Sequence, residues 1–210
     1  FQDAYEQLLK VSYNYKTQKS QNNKSLGGIV DGCIFQYTRG IGPNFYIGGV
    51  DALGAENWVV KDSIFRDIAS PSDRIAQYAV HFWDNADNNI VTDNIFIDND
   101  RAIGFGMRLP NRGIRYAHKG GVAKNNVIYH TDNGDPFADV GIMAEGNIGL
   151  TVADNIIFQL HPYENAIEYR WDNSDGINIS GNMVNKRIQG RDGAVASLNS
   201  NMEMLTLEQF

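Results

Sequence analysis

The sequence predicts an all-β chain wound as a parallel β-helix with three strands in each coil. Three observations carry that prediction: a short phrase that recurs along the chain, period-two alternation in front of it, and an excess of Asn and Gly. The phrase reads Asp31-Gly32-Cys33-Ile34-Phe35, Asp62-Ser63-Ile64-Phe65 and Asp93-Asn94-Ile95-Phe96, then Asn125-Asn126-Val127-Ile128, Asp154-Asn155-Ile156-Ile157 and Gly181-Asn182-Met183-Val184. Its central column, Cys33, Ser63, Asn94, Asn126, Asn155 and Asn182, advances by 30, 31, 32, 29 and 27 residues. Asn contributes 23 and Gly 21 of the 210 residues, more than a helical protein tolerates.

Each element follows from its local pattern. Residues 2–13 carry apolar side chains at helical spacing, with Phe1, Tyr5, Leu8, Leu9 and Tyr13 on one face, so we expect a short capping helix there. Lys16–Ser25 is polar and reads as a linker, which makes residues 1–24 a cap and linker. Residues 25–201 hold the repeats, in about seven coils. Runs such as Trp58-Val59-Val60-Lys61 and Leu150-Thr151-Val152-Ala153 read as strands before each phrase. A further family, Ala79–Trp83, Ala102–Gly106, Val140–Ala144 and Ala166–Arg170, with a weaker copy at Ala194–Leu198, supplies the first sheet. Asn tolerates the left-handed backbone region, so the Asn column is expected to sit at the sharp turn and to stack into an amide ladder. Residues 202–210 read as a tail or partial cap.

Composition narrows the function classes. Lys and Arg total 18 against 25 Asp and Glu, a net charge of −7, which disfavours nucleic acid as a partner. No apolar run approaches the roughly 20 residues of a membrane helix. One Cys excludes a disulfide framework and a Cys-rich zinc site, and Cys33 itself reads as a small turn residue. The start at Phe1, without a basic-apolar leader, fits a processed chain, an excised domain or a fragment.

With its stacked short strands, sharp Asn turn and two elastic turns, the stretch 25–201 resembles the right-handed parallel β-helix superfamily that includes pectate lyases and other polysaccharide-active proteins. The resemblance concerns fold; the superfamily hosts lyases, hydrolases, esterases, epimerases and adhesins. It implies a saccharide cleft on the outer face of the first sheet and, for most members, a secreted location, extracellular or periplasmic. Alternation turns Val80, Phe82, Ile103, Phe105, Ile167 and Tyr169 inward; Val140–Glu145 is ambiguous in register, and Ile142 and Ala144 inward would put Met143 and Glu145 outside. The outer face then carries Asp51, His81, Trp83, Gly104, Gly106, Glu145, Glu168 and Arg170. Outward glycines in a strand often mark close approach by a ligand.

Two loops interrupt the repeat. Met107–Gly120 holds Arg108, Arg112, Arg115 and Lys119 with no acid, which suits an acidic polymer such as a uronate or sulfated glycan. Arg108-Leu109-Pro110-Asn111-Arg112 is one residue short of the Arg-x-Pro-x-x-Arg signature of one pectate lyase family, so no role is carried over from it. His130–Asp139 offers Asp132, Asp135 and Asp139 as oxygen ligands for calcium, a pattern that is also ordinary turn chemistry.

The leading functional expectation is a β-eliminating lyase on an acidic glycan. Arg170 or a loop Arg would neutralise the uronate carboxylate, and His81 or Lys119 would move the proton. A glycoside hydrolase would instead use paired carboxylates, Glu145 and Glu168. The other class is a non-catalytic carbohydrate-binding or adhesion module. Asp51, Trp83, Gly104, Gly106, Arg108, Arg112, Arg115 and Glu145 are the expected substrate contacts, with His81, Arg170, Lys119 and Glu168 the expected catalytic set.

Overall fold

Strands three residues long cannot stand alone; they persist only by stacking on copies of themselves, and the computed structural model is built on that principle. The structure describes residues 1–12, 24–74, 77–107 and 116–210. Tyr13 of the expected helix, most of the expected linker, and Arg108, Arg112 and Arg115 lie outside the described residues. Among the described residues every element is a strand, and they form four parallel sheets. The first sheet has seven strands: Gln7–Val11, Gly48–Leu53, Tyr78–Trp83, Arg101–Gly106, Ile142–Glu145, Asn165–Arg170 and Arg187–Arg191. One pass of the chain visits the sheets in turn, as in Gly48–Leu53, Ala55–Glu56, Val59–Lys61 and Ile64–Arg66. The next pass pairs with it in register: Val50 with Val80, Ala55 with Ser25 on the previous pass, Val60 with Val91, Phe65 with Phe96. This all-β stacking is compatible with a parallel β-helix solenoid.

The core lies inside the stack. Phe35, Phe65 and Phe96 are fully buried and their rings stack at 4.9 and 5.0 Å, with Phe1 on Phe35 at 4.6 Å. Val30, Val60, Val91, Ala123, Val152 and Ile179 line the third sheet in the same way.

Four expectations are corrected. Among the described residues the capping helix expected over 2–13 is not formed: Gln7–Val11 is a strand that pairs with Gly48–Leu53, so Leu9 stacks on Val50. Its Leu8, Leu9 and Val11 pack against the core, a spacing that also satisfies a helical count over so short a run. A five-stranded sheet of two-residue strands, Ser25–Leu26, Ala55–Glu56, Ala86–Asp87, His118–Lys119 and Asn147–Ile148, makes four sheets where three were expected. Two residues leave no alternation to read. Ala196–Asn199 belongs to the third sheet, pairing with Ile177–Ser180, while Arg187–Arg191 closes the first. Finally, the left-handed residue of the sharp turn is the one before the Asn column: Asp62, Asp93, Asn125 and Asp154 have φ of 50°, 57°, 55° and 54°, with Gly32 and Gly181 at the equivalent positions.

The Asn column itself turns inward and is buried. Asn94 Nδ2 donates to Asn126 Oδ1 at 3.0 Å, and the Asn94 amide donates to the same oxygen at 3.1 Å. Asn126 repeats this on Asn155, Asn155 on Asn182, and Asn182 on Asn201. The other amide hydrogen of each goes to a carbonyl one pass back, as from Asn126 to Val91 at 2.9 Å. The ladder satisfies turn backbone groups that no sheet could reach. Cys33 ends it, half-buried, its amide donating to Ser63 Oγ at 3.1 Å.

Candidate catalytic and binding cleft

The in-register stacking of the first sheet lines up its outward residues. Lys10, Asp51, His81, Gly104, Met143, Glu168 and Gln189 form one column across seven strands. Glu145, Arg170 and Arg191 belong to the next column. The pairing resolves the ambiguous register of Val140–Glu145, with Ile142 and Ala144 inward.

A cleft of about 300 Å³ opens on this face over the Asp51 and His81 strands. Tyr46, Tyr78, Trp83 and Phe137 give it aromatic walls; Asp51, His81, Arg101 and Glu145 give it polar ones. Gln77, Arg74 and Met107 close the rim. Asp51, His81, Trp83 and Glu145, four of the residues expected from the sequence, are thus brought together.

His81 is fixed on three sides. Its Nε2 lies 2.7 Å from the Gly106 carbonyl, and its ring packs against Tyr78 at 4.2 Å and parallel to Trp83 at 5.4 Å. A carbonyl only accepts, so Nε2 carries the proton and Nδ1 is left as the basic nitrogen. Burial lowers its pKa to about 4, so the imidazole is neutral at pH 7. Asp51 accepts from Trp83 Nε1 at 2.6 Å and from Lys10 Nζ, which also bonds Tyr46 Oη at 3.1 Å. The Asp51 charge is therefore matched, and it sets the indole plane at the mouth of the cleft.

Glu145 is nearly covered, and burial raises its pKa in spite of Arg101 and Arg170 nearby. Its Oε1 takes a 3.3 Å bond from Trp171 Nε1 and lies 3.6 Å from Arg170 Nη1. His81 and Glu145 stand two strands and two residues apart, about 12 Å between Cα positions by strand geometry. A buried carboxyl whose pKa is raised and a neutral imidazole thus line the same cleft.

Arg101 was not anticipated. Its Nε donates to Asp139 Oδ2 at 2.7 Å, its Nη2 to the same oxygen, and its Nη1 to Tyr78 Oη at 3.1 Å. These bonds engage three of its five N–H groups. Alternation counted from Val80 and Ile103 assigns Tyr78 and Arg101 to the interior. They are the first residues of their strands, however, and turn out over the face. The tyrosine explains Gly104: a Cβ there would meet Tyr78 Cε1 at 2.6 Å and His81 Cδ2 at 2.9 Å. Gly106 has φ of +80°, and its Cβ would lie 1.9 Å from the Glu145 carbonyl oxygen. Both glycines are demanded by packing, and the space above Gly104 is filled, contrary to the expectation of an open face.

The remaining expected residues lie elsewhere. Glu168 is fully buried, and its carboxylate accepts from Tyr163 Oη, from Asn165 Nδ2 at 2.6 Å and from Arg191 Nη1 at 3.1 Å. It is a saturated structural acid and cannot pair with Glu145 across a glycosidic bond. Arg170 bonds Asp192 Oδ2 at 2.7 Å and lies over the Trp171 ring. Lys119 is exposed on the five-stranded sheet, beside the Tyr116 ring, and is not part of the cleft. The proposed calcium ligands serve separate partners: Asp139 holds Arg101, and Asp135 bonds the Phe137 amide and His130, while Asp132 is exposed. Among the described residues no group of three or more His, Cys, Asp or Glu side chains is arranged to hold a metal.

Comparison with protein-family models, with curated proteins and with solved structures finds no match to this chain.

Proposed function

We propose that the chain is a right-handed parallel β-helix of about seven coils, akin to the polysaccharide-active superfamily, and that it acts on a glycan bound in the first-sheet cleft. The observation that carries this reading is the convergence of a neutral buried imidazole, a buried carboxyl with a raised pKa and an anchored guanidinium within one aromatic-walled cleft. Aromatic plates suit the apolar faces of sugar rings, and a volume near 300 Å³ suits one or two sugar units.

The reaction this set supports best is β-elimination on a uronate. The Arg101 guanidinium, in the wall of the cleft, meets the substrate carboxylate and acidifies the neighbouring C–H. His81 Nδ1 takes that proton, the C–H electron pair becomes the new C=C bond, and the glycosidic C–O bond breaks. The departing oxygen receives a proton from Glu145. Arg101 takes the neutralising role first given to Arg170, and Glu145 replaces Lys119 and Glu168 as proton donor. Since the substrate is a glycan, a location outside the cytoplasm, extracellular or periplasmic, fits the proposal.

A panel of uronans, assayed by the ultraviolet absorbance of unsaturated products, tests the reading. Turnover that vanishes in His81→Ala is expected; unchanged polymers across the panel would sink the lyase. A second reading, binding without turnover, is favoured by the packing of His81 between Tyr78, Trp83 and Gly106, which is the environment of a structural histidine. A glycan array with binding and no product would establish it.

A further inference from the structure

We propose that Tyr5, Phe45 and Tyr46 form an aromatic ridge that carries a glycan chain out of the first-sheet cleft toward the Gln7–Val11 strand, so that the ligand is a polymer rather than a free mono- or disaccharide. The inference rests on the reading of the cleft as a glycan site and names the size of its ligand.

Tyr46 belongs to two surfaces. It lines the cleft, and its ring lies 6.4 Å from that of Phe45, its neighbour in the turn that leads into the Gly48–Leu53 strand. Tyr5 occupies the matching place one pass earlier. It stands two residues before Gln7, Tyr46 stands two before Gly48, and Gln7 pairs with Gly48. Phe45 is 56% exposed and Tyr5 is 74% exposed, so neither ring owes its place to the core.

The turn that presents them is clamped. Gln7 Nε2 donates to the Tyr46 carbonyl at 3.0 Å, and Gln77 Nε2 donates to the Phe45 carbonyl at 3.0 Å. Asn44 Nδ2 donates to the Tyr5 carbonyl, and Asn44 Oδ1 accepts the Tyr46 amide at 2.6 Å. The clamps come from both sides, Gln7 from the previous pass and Gln77 from the entry to the Tyr78–Trp83 strand of the next. Lys10 Nζ fixes the Tyr46 ring as well, bonding its Oη at 3.1 Å and lying 5.3 Å from the ring centre. A ring on a loose loop loses conformational freedom when it binds; on a clamped turn most of that loss is already made in folding. One exposed apolar side chain needs no explanation. Exposed rings on successive clamped turns, continuous with an aromatic-walled cleft, make a platform. Flat rings suit the C–H faces of sugars, and stacking on them does not depend on the charge of each unit.

Binding as a function of chain length tests the ridge. Galacturonate, mannuronate and glucuronate oligomers of two units, the span of the cleft, and of about six units are titrated against the whole chain by calorimetry, in His81→Ala where an oligomer is turned over. The readout is the ratio of dissociation constants, two units against about six, which cancels the loss or gain common to both lengths. That ratio is expected to fall about tenfold from the native ridge to the Tyr5→Ala, Phe45→Ala double variant, and to hold in Phe45→Tyr, which keeps the plate. If the double variant does not fold, Phe45→Ser alone decides through the same ratio. A ratio unchanged by these substitutions overturns the ridge and leaves the cleft reading standing. Failure of every oligomer to bind overturns both. A concentration-dependent dimer of the unliganded chain that Phe45→Ser abolishes, with the ratio unchanged, would make the ridge a contact between copies and overturns it too.

Discussion

His81 donates its Nε2 proton to the carbonyl of Gly106 at 2.7 Å, two residues past the glycine its ring covers. One bond thereby fixes the tautomer, orients the ring between Tyr78 and Trp83, and commits Nδ1 to any proton transfer. Burial holds the pKa near 4, so the acid limb of the pH–rate profile should fall at about pH 4, well below that of a free imidazole. His81→Ala should cost about 10²- to 10⁴-fold in kcat with a smaller change in KM. A pH–rate profile with its acid limb near 6.5 would mean that another group is the base.

Gly104 and Gly106 should separate packing from backbone. Gly106→Ala places a Cβ 1.9 Å from the Glu145 carbonyl oxygen at a φ of +80°, where neither side can yield. A loss of about 3 kcal/mol or more, read by denaturant unfolding, is expected. Gly104→Ala meets only the rings of Tyr78 and His81, which can move. Its cost should be smaller, about 1–2 kcal/mol, and should appear as weaker glycan binding. Equal losses of stability in the two variants would contradict this division.

The ladder and the buried acid are tests of structure. Asn126→Ala removes an acceptor of two bonds and a donor of two, all buried, so a loss of about 2–4 kcal/mol is expected. Cys33→Ala, at the end of the column where only the Cys33 amide is bonded in the ladder, should cost under about 1 kcal/mol. Glu168→Gln leaves Arg191 facing a neutral amide and should cost about 2 kcal/mol. Because Glu168 lies outside the cleft, its product profile should match the wild type; a change in products would return it to the reaction.

What the sequence disclosed was whatever repeats at a fixed period. The Phe35, Phe65, Phe96 column and the ladder each follow from stacking of like on like, so a single chain carries six copies of the same evidence. The cleft was half legible. Asp51 and His81 sit in strand interiors, and Trp83 and Glu145 end strands whose preceding residues fix the parity, so alternation gives their orientation. Tyr78 and Arg101 sit at strand entries, where parity fails. Phe137 and Asp139 come from a loop that has no period. The glycines misled because an outward gap in one strand was filled by a ring from its neighbour, a relationship between strands that a pattern within one strand does not contain.

Stability should peak near neutral pH with unequal flanks. Burial depresses His81, His118 and His161 to about 4, 3 and 3, each from an ordinary value of 6.5. The unfolded chain binds these protons first, so their contribution is present above about pH 6.5 and is lost as the pH falls toward those values. For His81 alone the loss amounts to about 3 kcal/mol. Asp100 works in the opposite sense. Its folded pKa is raised to about 8 from 3.8, so its contribution is complete in acid and fades as the pH rises to that value. Below pH 6.5 the three imidazoles outweigh the opposing slope of Asp100, and above it Asp100 alone remains, which makes the acid flank the steeper. Thermal unfolding from about pH 4 to about pH 9 should show a Tm maximum near pH 6.5, a sharp fall below it and a shallow decline above. Asp100→Asn should flatten the alkaline decline and His118→Gln should soften the acid fall. A Tm that holds level between about pH 4 and about pH 6.5 would mean that the three imidazoles are protonated in the folded chain.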